Sequence, residues 1–264
     1  MSATELVRLE TVLDRFDRVA LAVSGGVDSL TLAAVAGRRL GRRMEVFHAA
    51  SAAVPPEATA RVRLIADARA WRLRVIDAGE LGDPRYRSNP VDRCWFCKLD
   101  LYGAIRRHSD APLASGANLD DLADWRPGLR AAERYEVRHP LIEAGLDKAA
   151  VRRVAAAEGL GEVAELPASP CLSSRIETGI AITAERLALV RDVERYLQDL
   201  LPGVTLRCRI RRGGLVLEVD AAQLPAIAAP EVVTAVRALA LGHGVDTTIG
   251  FEPYRRGSAF RHDR

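Results

Sequence analysis

The sequence predicts an α/β protein, a parallel-sheet domain followed by a small α+β domain. Three observations predict it. Strand and helix signals alternate through about residue 165, as a parallel sheet with crossover helices requires. Leu21-Ala22-Val23-Ser24-Gly25-Gly26-Val27-Asp28-Ser29 reads as a buried strand entering a glycine turn and then a helix. Past Pro167 the order changes to helix–strand–strand–helix–strand, which sets domains at 1–165 and 166–264.

In the first domain, Ser29 to Arg38 has helical spacing after the turn. Arg43 to His48 reads as the second strand, and Glu57 to Ala70 as a helix behind Pro55-Pro56. Leu73 to Ile76 is a third strand and Pro112 to Ser115 a short fourth one. Asp147 to Glu158 is an amphipathic helix stopped by Gly159. In the second domain Thr183 caps a long helix to Leu200. Leu206–Ile210 and Leu215–Val219 flank Arg211-Arg212-Gly213-Gly214, a hairpin signal. Ala228 to Leu241 is helical, and Thr247 to Phe251 is the last strand.

At 264 residues the chain can bury a real core, and 48% hydrophobic with 28% charged content is ordinary for a globular protein. A net charge of +3 is too mild to argue for nucleic acid. With no apolar run of spanning length and no basic-then-apolar leader, the sequence places the protein in the cytoplasm and off the membrane. Four cysteines in that setting read as metal ligands or reactive thiols rather than disulfides. Of the 38 basic residues only Lys98 and Lys148 are lysine. A coding bias toward arginine accounts for the bulk. A lysine that survives it is a candidate for a site needing a compact ammonium.

The loop Ser24–Ser29 carries the chemistry. Gly25 and Gly26 let the backbone turn tightly and approach a ligand. The N–H groups opening the helix near Val27, with hydroxyls from Ser24 and Ser29, offer donors and a positive dipole end to an anion. This is a phosphate cradle without the lysine that a Walker A loop requires. Ligands of such sheets bind at the carboxyl ends of the strands, where Ser51 and Ser115-Gly116-Ala117-Asn118-Leu119-Asp120-Asp121 also fall. Asn118 and Asp121 suit either a nucleotide-facing loop with a magnesium-binding carboxylate or an acidic helix cap.

Asn89-Pro90-Val91-Asp92-Arg93-Cys94-Trp95-Phe96-Cys97-Lys98 holds a C-x-x-C pair, which can chelate a metal or supply two cluster ligands. A redox dithiol would need a thioredoxin-like context that is missing. Cys171 lies in Pro170-Cys171-Leu172-Ser173-Ser174-Arg175, among hydroxyls and a cation that favour a thiolate. Arg207 and Arg209 alternate with Cys208, so the two arginines share one strand face and Cys208 points to the other as a small core residue.

Taken together, Ser24–Ser29, Asn89–Lys98, Ser115–Asp121 with Arg126-Pro127-Gly128, Pro170–Arg175 and the ending Pro253-Tyr254-Arg255-Arg256-Gly257-Ser258 resemble the LarE-type sulfur transferases. These form a branch of the PP-loop ATP pyrophosphatases, and the likeness runs nearly end to end. The resemblance implies a role in building the nickel-pincer nucleotide cofactor. ATP, with Mg2+, adenylates a carboxylate of a pyridinium biscarboxylate mononucleotide, and sulfur displaces AMP to give a thiocarboxylate. It implies ATP contacts from Ser24, Gly25, Gly26, Val27, Asp28, Ser29, Ser51, Gly116, Asn118 and Asp121, and a ring-like homo-oligomer built through the C-terminal domain. It also implies that Cys94, Cys97 and Cys171 hold a 4Fe–4S cluster whose open iron binds an extra sulfide, with Cys171 as the sacrificial sulfur donor in the alternative branch. Lys98 is expected at the α-phosphate or the carboxylate being adenylated. Arg175 is expected near the thiols and, with Arg207 and Arg209, at the substrate's phosphate, which paired guanidinium forks suit; Arg207 and Arg209 otherwise form a solvated basic face. One departure is Arg138-His139-Pro140, where a small residue is expected before the proline.

A tRNA thiolase or an amidotransferase-type synthetase would share the loop and the adenylation. A tRNA enzyme should show a broad basic surface with stacking aromatics, which +3 and 5% aromatic content do not suggest. An ammonia-using synthetase would not need Cys94, Cys97 and Cys171. A non-enzymatic ATP sensor would not gather thiols near a nucleotide.

Overall fold

Three- to six-residue runs between turns make the strands of the first unit, and the computed structural model places them in one sheet. It describes residues 2–123, 127–167, 170–255 and 257–259. Arg126 and Arg256, from the motifs above, lie outside the described residues. In chain order the first elements are α1 (Ser2–Leu13), β1 (Val19–Ala22), α2 (Val27–Leu40), β2 (Met44–Ala49), α3 (Pro56–Ala68), β3 (Arg72–Ile76), α4 (Pro84–Arg87) and α5 (Arg93–Arg106). Then come β4 (Leu113–Ser115), α6 (Pro127–Arg134), α7 (Pro140–Glu143), α8 (Lys148–Ala157), α9 (Ala184–Leu200), β5 (Leu206–Arg211), β6 (Gly214–Val219), α10 (Leu224–Ile227), α11 (Pro230–Gly242) and β7 (Ile249–Pro253).

The chain divides into two compact units, Met1–Glu80 with Cys94–Ser169, and Leu81–Arg93 with Pro170–Arg264. The first is a four-stranded parallel sheet in the order β3-β2-β1-β4. β1 is an unbroken apolar run because both its faces are covered. Leu9, Leu13, Leu30, Val35, Val151 and Val154 of α1, α2 and α8 close one face with Leu21 and Val46. Tyr102 and Ile105 of α5 close the other with Ala20, Phe47 and Leu113. His48 is buried, with Nδ1 against the Val23 carbonyl and Nε2 against Thr59, and burial holds its pKa below the usual imidazole value.

In the second unit β5 and β6 form the expected hairpin, with Arg211 opposite Gly214 and Arg212-Gly213 at the turn. β7 adds parallel to β6, giving the order β5-β6-β7. Thr183 caps α9 by accepting the Arg186 N–H. Leu189, Val193 and Leu197 of α9 meet Cys208, Leu217 and Val236 in a separate core. Cys208 is fully buried there and burial pushes its thiol pKa up, so it is an inert core residue. Among the described residues no single helix is long and apolar enough to cross a membrane.

Two features differ from the sequence expectation. Leu81–Arg93, read with the first domain, packs with the second unit. Asn89 fixes it there: its side-chain amide donates to the carbonyls of Glu177 and Ile180 at 2.9 Å, and its own carbonyl accepts the Gly179 N–H at 2.9 Å. These partners lie about ninety residues downstream, beyond any local pattern. The C-x-x-C, read as metal or cluster ligands with no secondary structure assigned to it, is the first turn of the helix α5.

Candidate active site

The loop between β1 and α2 is shaped by its glycines. Gly25 has φ +85°, and a Cβ on it would stand 2.7 Å from the Ala58 carbonyl oxygen, so only glycine fits. Gly26 caps α2 without a side-chain bond of its own, which leaves the first-turn N–H groups for an anion. The Ser29 hydroxyl donates to the Gly26 carbonyl at 3.1 Å and accepts the Ser24 N–H at 3.1 Å, tying the loop across itself. Arg61 donates to the Gly25 carbonyl at 2.8 Å and adds a cation behind the loop that sequence reasoning missed.

The β4 loop crosses the cradle at close range. A Cβ on Gly116 would lie 2.8 Å from the Ser29 backbone. Asn118 is buried and donates to Asp28 Oδ1 at 3.2 Å. Lys148, at the start of α8, places its ammonium 2.5 Å from Asp28 Oδ2. The Lys148 N–H donates to Asp120 at 3.1 Å. Both oxygens of the signature aspartate are therefore engaged by residues ninety and more positions away. The sequence flagged Lys148 only through the scarcity of lysine, with nothing to tie it to Asp28.

Asp121 caps the turn that follows β4. Its carboxylate accepts the Asn118 N–H at 3.1 Å, completing a capping box on the turn Leu119–Leu122. Ser51 donates to Glu80 at 2.5 Å and accepts the Ala53 N–H at 3.2 Å, so its hydroxyl shapes the loop after β2. His139, the departure noted above, meets Ser115 through Nδ1 at 3.0 Å. Burial foremost, with Lys98 adding to it, lowers its pKa from the ordinary value, which leaves a neutral imidazole at the end of β4.

Cys94, Cys97 and Lys98 stand three and four residues apart on α5, so they share one half-buried face. A Cβ on Gly128 would meet Lys98 Cγ at 3.1 Å, so the start of α6 passes close over the Lys98 side chain. Lys98 Nζ also lies 5.8 Å from the Tyr102 ring centroid. The exposed Cys171 belongs to the second unit. Thiolates are the right donors for an iron–sulfur cluster, and Cys94 with Cys97 supplies two of them on one helical turn. Among the described residues no group of three His, Cys, Asp or Glu side chains is gathered for a metal ion.

In the second unit the strand face carries the expected arginines, but their surroundings differ. Arg175 is buried in a two-pronged ion pair with Glu194, each prong 3.0 Å. Arg209 gives Nε to Glu218 at 2.9 Å and its other nitrogens to the Ser174 and Arg255 carbonyls. Arg207 differs. Among the described residues it makes no ion pair, and it lies 5.7 Å from the Tyr254 ring centroid. Burial, then the charge of Arg175, lowers its pKa, with Arg209 adding to the effect. Glu194 and Tyr254 pull the other way, so what marks Arg207 is a half-buried guanidinium that no carboxylate engages directly among the described residues. A cleft of about 700 Å³ beside α9, lined by Asp192, Tyr196, Leu239 and His243, contains none of the predicted site residues.

No protein-family model matches the chain. It is 35% identical over 209 residues, 76% of each chain, to an uncharacterized protein of Synechocystis sp.. It is 29% identical over 211 residues to the pyridinium-3,5-bisthiocarboxylic acid mononucleotide synthase of Lactiplantibacillus plantarum, covering 78% of this chain and 76% of that one. An uncharacterized protein of Methanocaldococcus jannaschii is 26% identical over 136 residues, about half of each chain. Likeness over three quarters of the chain, together with a parallel sheet carrying Ser24–Ser29 at the end of its β1 strand, makes this chain a member of the LarE-type sulfur transferases of the PP-loop superfamily.

Proposed function

We propose that the protein is an ATP-dependent sulfur transferase of nickel-pincer cofactor synthesis, acting on a pyridinium biscarboxylate mononucleotide in the cytoplasm. The observation that carries this is the cradle itself, glycine-shaped backbone with Asp28 at its mouth, in a chain that resembles a pyridinium-3,5-bisthiocarboxylic acid mononucleotide synthase. A carboxylate oxygen of the substrate attacks the α-phosphorus of ATP, the bond to the bridging oxygen breaks, and pyrophosphate leaves with its electron pair. Sulfur then attacks the acyl carbon and AMP departs. The cradle donors face the anionic pyrophosphate, and Mg2+ is proposed to arrive with the nucleotide. Lys98 carries a compact charge for the phosphate or carboxylate being joined.

Arg207 is the proposed phosphate ligand of the mononucleotide, because Arg175 and Arg209 are already held by Glu194 and Glu218. Arg207→Ala should raise KM for the mononucleotide by about tenfold or more and leave KM for ATP unchanged, as loss of uniform substrate binding does. Steady-state kinetics with each substrate varied in turn checks this. Arg209→Ala should instead lower stability, because it takes from the buried ionic network the cation that meets Glu218 Oε2.

For the sulfur source we propose a 4Fe–4S cluster on Cys94, Cys97 and Cys171, which would supply a bound sulfide. Anaerobically purified protein should then be brown with about four irons per chain. Cys94→Ala, Cys97→Ala and Cys171→Ala should each lose the iron, while Cys208→Ala should keep it. The exposure of Cys171 favours a second reading, sacrifice of its own sulfur. Colourless protein, a single turnover and dehydroalanine at position 171 by mass spectrometry would establish that reading instead. A ring-like homo-oligomer is also proposed; light scattering of the purified protein tests it.

A further inference from the structure

Gly25 is the tightest point of the cradle, and α3 makes it so. The Ala58 carbonyl oxygen lies 2.7 Å from where a Cβ on Gly25 would stand, and Arg61 donates to the Gly25 carbonyl at 2.8 Å. Gly25 is held between them at φ +85°, a conformation only glycine adopts freely. The place and rotation of the first turns of α3 therefore decide the shape of the loop. Val62 and Ala66 bury the following turns of that helix. Thr59, between Ala58 and Arg61, is half-buried and is held by a side chain of β2.

That side chain is His48. It is 1% exposed, with Nδ1 2.8 Å from the Val23 carbonyl oxygen and Nε2 2.9 Å from Thr59 Oγ1. A carbonyl only accepts, so Nδ1 carries the proton and Nε2 accepts from the Thr59 hydroxyl. Burial outweighs the Val23 bond and holds the ring's pKa below the usual imidazole value, which keeps it neutral in this tautomer. Val23 directly precedes the cradle, and its N–H pairs with the Phe47 carbonyl at 2.8 Å. The ring thus ties the point where the chain leaves the sheet to the helical turn that packs on Gly25.

We propose that His48 is a positioning residue for nucleotide binding: through Thr59 it fixes the first turns of α3, and so holds Ala58 and Arg61 against Gly25 in the conformation that receives the phosphates. The assignment rests on the ATP-cleaving reading above and adds to it a residue too buried to touch the nucleotide itself. A loop already ordered in the free protein adds no ordering cost to binding. Cutting the bond between His48 and Thr59 loosens α3 and returns that cost. Nucleotide affinity then falls, while the reacting atoms, once bound, meet the same groups.

The test is calorimetric binding of α,β-methylene ATP with magnesium, alongside steady-state kinetics. Thr59→Val keeps the shape of the side chain and removes its hydroxyl. It should weaken binding by about three- to tenfold, the range of one neutral hydrogen bond, and raise KM for ATP by the same factor. Its kcat should stay within about twofold and KM for the mononucleotide should not move, as loss of uniform nucleotide binding requires. Thr59→Ser restores the donor and should return the affinity to wild type. His48→Asn keeps a donor for the Val23 carbonyl but is too short for Thr59. It should weaken binding similarly, and adding Thr59→Val to it should change nothing further. Circular dichroism checks that each variant is folded; if His48→Asn is not, the two Thr59 variants decide. Unchanged affinity in Thr59→Val, or an equal loss in Thr59→Ser, overturns the assignment and leaves His48 as a core histidine. Wild-type protein that does not bind the analogue overturns the ATP reading and this assignment with it, whereas wild-type binding with an unaffected Thr59→Val variant sinks the assignment alone.

Discussion

Replacing Glu218 with alanine should lower the stability of the second unit by about 3–5 kcal/mol, the usual consequence of removing one member of a buried ionic network. Glu218 is fully buried on β6. It accepts from Arg209 at 2.9 Å, from Arg211 at 2.8 Å and from Ser258 at 2.5 Å. Without it the buried Arg209 keeps its charge and has no carboxylate partner left among the described residues. Urea unfolding followed by circular dichroism reads this as a lower midpoint. Converting both Arg209 and Glu218 to methionine should restore most of the loss, since a matched apolar pair leaves no orphaned charge. If the single change is neutral, the network is too wet to matter.

Asp28→Ala should reduce ATP turnover by about 10- to 100-fold or more, since each charge-assisted hydrogen bond it removes contributes about 1.5–3 kcal/mol. The carboxylate joins Asn118 on β4's loop to Lys148 on α8, so its removal also unties two segments from the cradle. Ser29→Ala should act in the same direction through the loop alone, because its hydroxyl ties the Gly26 carbonyl to the Ser24 N–H. Pyrophosphate release, followed with substrate present, measures both. Normal release in Asp28→Ala would remove this residue from the chemistry.

The sheet was legible because its determinants are local. Val19–Ala22 is an apolar run, Ser24–Ser29 holds its glycines within six residues, and Thr183 and Asp147 cap their helices from the adjoining position. What the sequence hid is set by tertiary placement. Lys148 meets Asp28 across 120 residues, and Asn118 meets it across 90. The arginine face on β5 was legible as alternation, but its electrostatics were not. Arg207 is the register partner of Glu218, yet that carboxylate turns diagonally to Arg209 and Arg211. The carboxylate holding Arg175 comes from α9. Helix α5 escaped notice because the aromatic pair Trp95-Phe96 inside the C-x-x-C breaks a clean apolar stripe.

The most direct measurement is mass analysis of the products formed from ATP, the pyridinium biscarboxylate mononucleotide and sulfide under anaerobic conditions. The account predicts AMP and pyrophosphate in equal amounts, and a mononucleotide in which one carboxylate oxygen has been replaced by sulfur. ADP and phosphate, or AMP formed while the mononucleotide keeps its mass, would contradict it.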